Sequence, residues 1–299
     1  MKSPAENVYV LEEESPPIPR KIFGYYPGSK MNAANTLVLF DVDGTLTEAR
    51  KPITMPMITI LRELCRHAEI GFLTGSGMEY IKEQLWPALN DSIIKNNCHL
   101  LPCNGTEYAI PTSSEMLDFQ FIHRASMLDE VGDVKFRELM GFLCKFQSEL
   151  VHEVDIPLTG TFIQNRKSMI NWCPIGRNAT PSQRKQFIAL DKLYGIRNKY
   201  ISLLRTALIE SNINATVKMG GNTSFDIYPP GWDKTYALRH FNQHEWEFWF
   251  VGDRCGVDGN DYEIFNHLKP SGHAWETGSP EETIEIIDLY ILNELQYRR

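Results

Sequence analysis

Residues 36–47 read Thr36-Leu37-Val38-Leu39-Phe40-Asp41-Val42-Asp43-Gly44-Thr45-Leu46-Thr47. Leu37 to Phe40 form an uninterrupted apolar run, the pattern of a strand buried on both faces of a parallel sheet. Two acids separated by one residue follow at once, and Gly44 permits a sharp reversal of the chain behind them. Open α/β sheets place their ligands at the carboxyl ends of their strands, which is where Asp41 and Asp43 stand. One carboxylate there can act as nucleophile toward phosphorus, and the other can serve the leaving oxygen as acid and base. The plainer reading is a strand ending in solvated acids before a turn. The joint occurrence of strand, paired acids, Gly and Thr favours the chemical one.

Outward from this stretch the chain alternates. Ile58, Leu61, Leu64 and Cys65 share one face of a helix. Glu69 to Ser76 reads as a second buried strand ending in a Gly-containing loop, with a helix over 78–86 directly after it. Such β-α-β-α order predicts an α/β fold with a doubly wound, mostly parallel sheet. Residues 90–111 add a further strand and the turn signal Cys103-Asn104-Gly105. The pattern then changes. Residues 112–229 suggest helices near 134–150 and 181–211 and strands near 160–173 and 214–228, an inserted α+β region with an antiparallel sheet. Parallel-strand character returns at Glu247 to Asp253. The division expected is therefore an extension at 1–35, a core domain at 36–111 and 230–299, and an inserted domain at 112–229.

One helix start is sharply marked. Thr180-Pro181-Ser182-Gln183 combines an N-cap Thr, a Pro at the first helical position and a Gln three residues after the cap. Arg177 precedes this start and Arg184 lies in its first turn. A helix N-terminus already favours anions, so the two guanidiniums read either as a phosphate clamp or as ordinary solvated charges.

Composition narrows the classes. The chain has 299 residues, 42% of them hydrophobic, and a net charge of −8 from 30 basic and 38 acidic residues. That acidic balance argues against nucleic acid as the main partner. A phosphorylated substrate must then meet a local basic patch. Six irregularly spaced cysteines without a C-x-x-C pair read as reduced thiols of a cytoplasmic protein. No apolar stretch is long enough to span a membrane, and the start of the chain carries acids and prolines rather than a signal sequence.

Further motifs carry a family resemblance. The D-x-D-G-T pattern at the end of a first strand resembles the haloacid-dehalogenase superfamily. Gly220-Gly221-Asn222-Thr223-Ser224-Phe225-Asp226-Ile227-Tyr228-Pro229-Pro230-Gly231-Trp232-Asp233-Lys234 resembles the G-G-x-x-S-F-D-x-x-P-x-G-W-D-K segment of eukaryotic phosphomannomutases, and Leu238-Arg239-His240 extends it. Gly160-Thr161-Phe162-Ile163, Pro174-Ile175-Gly176-Arg177, and Gly252-Asp253 followed by Gly259 to Phe265 are similar to the same family. The likeness runs from about 36 to 291, in the family's order.

The resemblance implies a core carrying a cap that closes over the substrate. By position it assigns Asp41 as the phosphate-accepting nucleophile, Asp43 as general acid and base, and Lys234 as the cation beside the aspartyl phosphate. It assigns Mg²⁺ to Asp41, Asp253 and the backbone carbonyl of Asp43. Arg50 matches a substrate-binding position, and Arg166, Arg177, Arg184, Ser224 and Asp226 match the cap residues that hold the sugar phosphate. A hexose 1,6-bisphosphate activator, hexose phosphate substrates and a homodimer formed through the cap are further implications. Several positions depart from the pattern: Asn165-Arg166-Lys167-Ser168-Met169 keeps the Arg but changes its neighbours, and Thr74-Gly75-Ser76-Gly77 leaves both Thr74 and Ser76 as contacts for the transferred phosphoryl. His267 stands where relatives have an Asp in a loop that binds a second cation.

Residue by residue, other readings stay open. Ser224 and Asp226 alternate on a strand and share a face. They can meet sugar hydroxyls, position an arginine or simply face solvent. Asn260 and Asp261 can support the metal site or form a turn. At the level of activity, the alternatives are a sugar-phosphate phosphatase using the same acids and a catalytically weak scaffold on this fold.

Overall fold

A computed structural model describes residues 35–112, 118–257 and 259–298. The extension expected at 1–35 lies outside these residues except for Asn35. Met1–Ala33 and Ala34–Arg299 separate as two units, and everything below concerns the second.

The chain begins with β1 (Asn35–Phe40), α1 (Met55–Leu64), β2 (Glu69–Leu73), α2 (Met78–Leu89), α3 (Ser92–Asn96) and β3 (Cys98–Leu101). β4 (Glu107–Pro111) and β5 (Phe119–Arg124) follow, then α4 (Met127–Val131) and α5 (Asp133–Glu153). Next come β6 (Ile163–Asn165), β7 (Ile170–Trp172), α6 (Pro181–Tyr194), α7 (Ile196–Glu210), β8 (Thr216–Gly220) and β9 (Ser224–Tyr228). A 3-10 segment, Lys234–His240, leads to β10 (Trp246–Gly252), α8 (Tyr262–Leu268), β11 (Ala274–Glu276), α9 (Pro280–Ile286), a π-helical turn (Ile287–Leu292) and α10 (Asn293–Tyr297).

Two sheets result. The larger runs β11-β10-β1-β2-β3-β4-β5, parallel through β3 and antiparallel at β4 and β5. β1 is an interior strand, paired along its edges by β10 and β2, and apolar clusters cover both of its faces. Val38 and Phe40 pack into one apolar cluster with α1 and α2, and Leu37 and Leu39 into another on the opposite face. This burial explains why the strand reads as an unbroken apolar run. The smaller sheet, β6-β7-β9-β8, is antiparallel throughout. It has its own core, in which Trp172 stacks on Phe225 against α5 and α7.

Some elements differ from expectation. β5 falls within the stretch 112–229 read as inserted, yet it pairs with β4 in the larger sheet. The helix expected over 181–211 is two helices, broken at Gly195, which adopts the left-handed conformation (φ 62°, ψ 34°). Glycine reaches that region without a Cβ penalty and weakens a helix interior by about 1 kcal/mol, so it divides the run. The strands near 160–173 and 214–228 are each a hairpin, β6–β7 and β8–β9. The start of α6 forms as expected: the Thr180 side chain accepts from the Gln183 amide at 3.3 Å, and the Thr180 amide donates to Gln183 Oε1 at 2.9 Å. Among the described residues no helix is long and apolar enough to cross a membrane, and none of the six cysteines is in a disulfide.

Candidate active site

The site forms at the carboxyl ends of β1 and β10, paired neighbours in the larger sheet. Asp41 continues β1, its amide donating to the Val251 carbonyl of β10 at 3.0 Å. The chain then reverses. Gly44 takes φ +91° and its amide donates to the Thr47 carbonyl at 2.7 Å. A Cβ at Gly44 would collide with the Asp253 carboxylate, so the glycine is what allows the β1 loop to lie against the end of β10.

Beneath this turn lies a buried ionic group. Lys234, with no solvent exposure, ion-pairs with Asp41 and, at 2.5 Å, with Asp261, which is equally buried. Asp233 caps the start of the Lys234 segment, accepting from the Thr235 amide at 2.9 Å. Asp261 also accepts from the Arg254 amide at 3.1 Å. Carboxylate oxygens of Asp41, Asp253 and Asp261 lie within 4.8 Å of one another. Sequence reasoning placed Asp41 and Asp253 here but left Asp261 between a supporting group and a turn; the fold makes it a full member.

Charge in this group is unbalanced. Burial above all pushes the Asp41 carboxyl well above its ordinary value; Asp261 and Asp253 add to the rise, and Lys234 opposes it. Burial first, then Asp261, pushes Asp253 up to about 6. Lys234 is held firmly charged, because its two carboxylates outweigh the cost of burial. Asp253 Oδ1 is buried and has no hydrogen-bond partner among the described residues. Three carboxylates against one lysine, with an orphaned oxygen, are a donor set suited to a hard divalent cation.

Asp43 is fixed differently. Its Oδ1 accepts from the Gln84 side-chain amide at 2.6 Å and from the Arg50 backbone amide at 2.9 Å. Arg50 itself takes a left-handed backbone (φ 63°).

Opposite this acid end stand arginines supplied largely by the smaller sheet and α6. Arg166 follows β6, and its Nη1 donates to the Gly75 carbonyl of the β2–α2 loop at 3.1 Å. Arg177 Nη1 donates to Asn171 Oδ1 at 3.3 Å. Arg184 is held at three points, donating to the carbonyls of Ala179 (3.1 Å) and Arg177 (2.9 Å) and to the Thr223 hydroxyl (3.0 Å). Burial, and after it the facing Arg166 and Arg50, lowers the Arg177 pKa; burial and Arg50 lower that of Arg184. Among the described residues none of Arg50, Arg166, Arg177 and Arg184 has a carboxylate partner in an ion pair. Uncompensated guanidiniums that strain against one another are ready for an anion.

Ser224 and Asp226 share a face of β9, as their spacing implies. Both contact Asn171 of β7: its Nδ2 donates to Asp226 Oδ1 at 2.6 Å and Ser224 Oγ at 3.1 Å. Asn171 therefore relays the β9 pair to Arg177. Its sequence signal is faint, a single polar residue between Ile170 and Trp172 in a buried strand.

One cleft of about 780 Å³ gathers these groups. It is lined by Asp41, Asp43, Asp253, Arg50 and the three arginines of the smaller sheet's side, together with Ser224 and Asp226. Thr74 and Ser76 both line it as well. Lys234 sits below its floor rather than on it. His267 is exposed on the last turn of α8.

A mostly parallel α/β sheet with an acid pair after an interior strand, a buried lysine and a further acid after the neighbouring strand define a chain of the haloacid-dehalogenase type. Comparison agrees with that fold: an N-terminally truncated IMP-nucleotidase structure from Plasmodium falciparum superposes with a TM-score of 0.59 at 14% identity, covering 85% of this chain and 70% of that one. The family description "Eukaryotic phosphomannomutase" matches residues 57–293, beginning after the Asp41–Asp43 pair. A phosphomannomutase of Oryza sativa subsp. indica is 36% identical over 84% of this chain and 94% of its own length. One of Spinacia oleracea is 37% identical over 83% and 93%. The chain belongs to the eukaryotic phosphomannomutase family.

Proposed function

We propose that this protein interconverts mannose 1-phosphate and mannose 6-phosphate through an aspartyl phosphate and a hexose 1,6-bisphosphate. One observation carries the reading: a single cleft joins the acid group to a set of unpaired arginines. A mutase must hold two phosphates at once, one in reaction and one at a distance. A phosphatase needs only the first.

Asp41 attacks the phosphorus of a hexose bisphosphate, and the bond from phosphorus to the sugar oxygen breaks. Asp43 gives a proton to that oxygen. A hexose phosphate then presents its free hydroxyl, Asp43 takes the hydroxyl proton, and the sugar oxygen displaces Asp41 from phosphorus. Acid and base duty on one residue is what a reversible transfer requires. Lys234 supplies a fixed positive charge beside Asp41, in a reaction governed by positioning and charge stabilisation.

Asp41, Asp253 and Asp261 would hold Mg²⁺, with the Asp43 backbone carbonyl as the family resemblance implies. When bound, the ion offsets the repulsion between carboxylate and phosphate. Arg166, Arg177 and Arg184 hold the distal phosphate, each charge-assisted bond contributing roughly 1.5–3 kcal/mol. Asn171 aims Arg177, backed by Ser224 and Asp226. In this reading the smaller sheet with its helices acts as a cap that excludes water from the aspartyl phosphate. A homodimer through that cap, a cytoplasmic location and a role in supplying activated mannose belong to the same proposal.

The test is product formation from mannose 1-phosphate with Mg²⁺, with and without catalytic glucose 1,6-bisphosphate, while free phosphate is followed in parallel. Activator-dependent mannose 6-phosphate with little free phosphate is expected, and Asp41→Ala should abolish it. Free phosphate without mannose 6-phosphate would replace the mutase reading with a phosphatase.

A further inference from the structure

The apolar face of α2 carries Met78, Ile81, Leu85, Ala88 and Leu89, all buried. Gln84 lies on the same face, three residues after Ile81 and only 3% exposed. A glutamine in such a stripe must find partners or destabilise the core. Its side-chain Nε2 donates to Asp43 Oδ1 at 2.6 Å, and its backbone carbonyl accepts from the Ile53 amide at 2.9 Å. The segment from Asp43 to Ile53 carries Arg50, whose amide closes onto the same Oδ1 at 2.9 Å. One residue of α2 therefore grips this loop at both ends. Gln84 does not line the cleft; it lies behind Asp43.

We infer that Gln84 is a positioning residue for the proton transfer at Asp43, and that it decides which carboxyl oxygen does the work. Two donors converge on Oδ1. An oxygen that accepts two N–H bonds has no room to carry a proton of its own, so the transferable proton resides on Oδ2. The same two bonds stop the carboxyl group from turning about its Cβ–Cγ bond, which would exchange the two oxygens. Each passage of the reaction then finds donor and acceptor at one place. Such orientation is worth most in the transition state and little in substrate binding. The inference rests on the role proposed for Asp43.

Gln84→Met keeps size and removes the donor. Mutase kcat should fall roughly tenfold to a hundredfold with KM within about threefold of the original and an unchanged melting temperature. Gln84→Glu, which replaces the donor with an acceptor facing Asp43, should lose at least as much, and it serves if the Met variant does not fold. In an Asp43→Ala background, adding Gln84→Met should alter residual turnover by less than about twofold, because the group it orients is gone. The idea fails if a folded Gln84 variant retains the original kcat. It also fails if the loss is the same with and without Asp43, or if KM carries the whole effect. Absence of mutase activity in the unaltered protein would instead overturn the role assigned to Asp43, so the two failures are told apart.

Discussion

Lys234 and Asp261, separated by 27 residues in sequence, meet at 2.5 Å with neither side chain exposed to solvent. Lys234 also reaches back 193 residues to Asp41. One lysine thus ties the end of β1 to the loop after β10. A buried ion pair adds little net stability over an apolar pair, yet breaking one is costly, because the remaining charge is left without water or partner. Lys234→Met leaves three carboxylates together. In chelator at pH 8 the variant should lose about 3–5 kcal/mol in urea unfolding. The loss should shrink at pH 5, where the carboxylates take up protons. An unchanged midpoint at pH 8 would show that the lysine is not their counter-charge.

The same acids predict a pH dependence. Asp253 is raised from an ordinary value near 3.8 to about 6, and Asp41 is also raised. Between those values the folded protein holds protons that the unfolded chain has released. Stability from these groups is therefore present below pH 4 and lost as pH rises through 6 and beyond. A divalent cation takes the place of the protons. Melting curves in chelator should show this decline, and millimolar Mg²⁺ should flatten it. Equal slopes with and without the cation would remove the three acids as its ligands.

At the other end of the cleft, Arg177→Ala should raise KM for the sugar phosphate by about tenfold or more, from the loss of one charge-assisted contact. Hydrolysis should rise relative to mutase product, because the intermediate escapes its grip. Asn171→Ala should move both quantities in the same direction by less, since Arg177 remains but is no longer aimed. Unchanged partitioning in both variants would take Arg177 out of the phosphate site.

Gly44 gives a sharper structural test. Gly44→Ala faces both the positive φ and the Asp253 carboxylate. It should destabilise the fold by more than about 1 kcal/mol and abolish the cation-induced rise in melting temperature. A normal cation response in this variant would mean that the β1 loop and Asp253 need not approach.

Much of this was legible in the chain. The apolar run at 37–40 marks an interior strand because burial on both faces leaves no alternation to read. The Thr180 capping box placed the start of α6, since cap chemistry is local. The Asp41–Asp43 pair and the arginines beside the α6 start stand out in the residues themselves, whereas Lys234, Asp253, Arg50 and Arg166 enter through the family resemblance. Gly195 is a local signal for the break in this region, which the reading of one helix over 181–211 passes over. No strand is expected over 119–124, because an edge strand with partly exposed faces such as β5 carries little periodic signal.

Sequence by itself determined that β1 and β2 are buried strands, where the capped helix α6 starts and which residue types are present for phosphate chemistry, all properties of a few neighbouring residues. Only the tertiary structure decided that Asp261 joins Asp41 around Lys234, that Asn171 donates to Asp226 and Ser224 beside the cleft, and that Gln84 addresses Asp43 across 41 residues. These are contacts between segments brought together by sheet order and helix packing. Their strength depends on burial, and burial is a property of the assembled molecule rather than of any stretch of its chain.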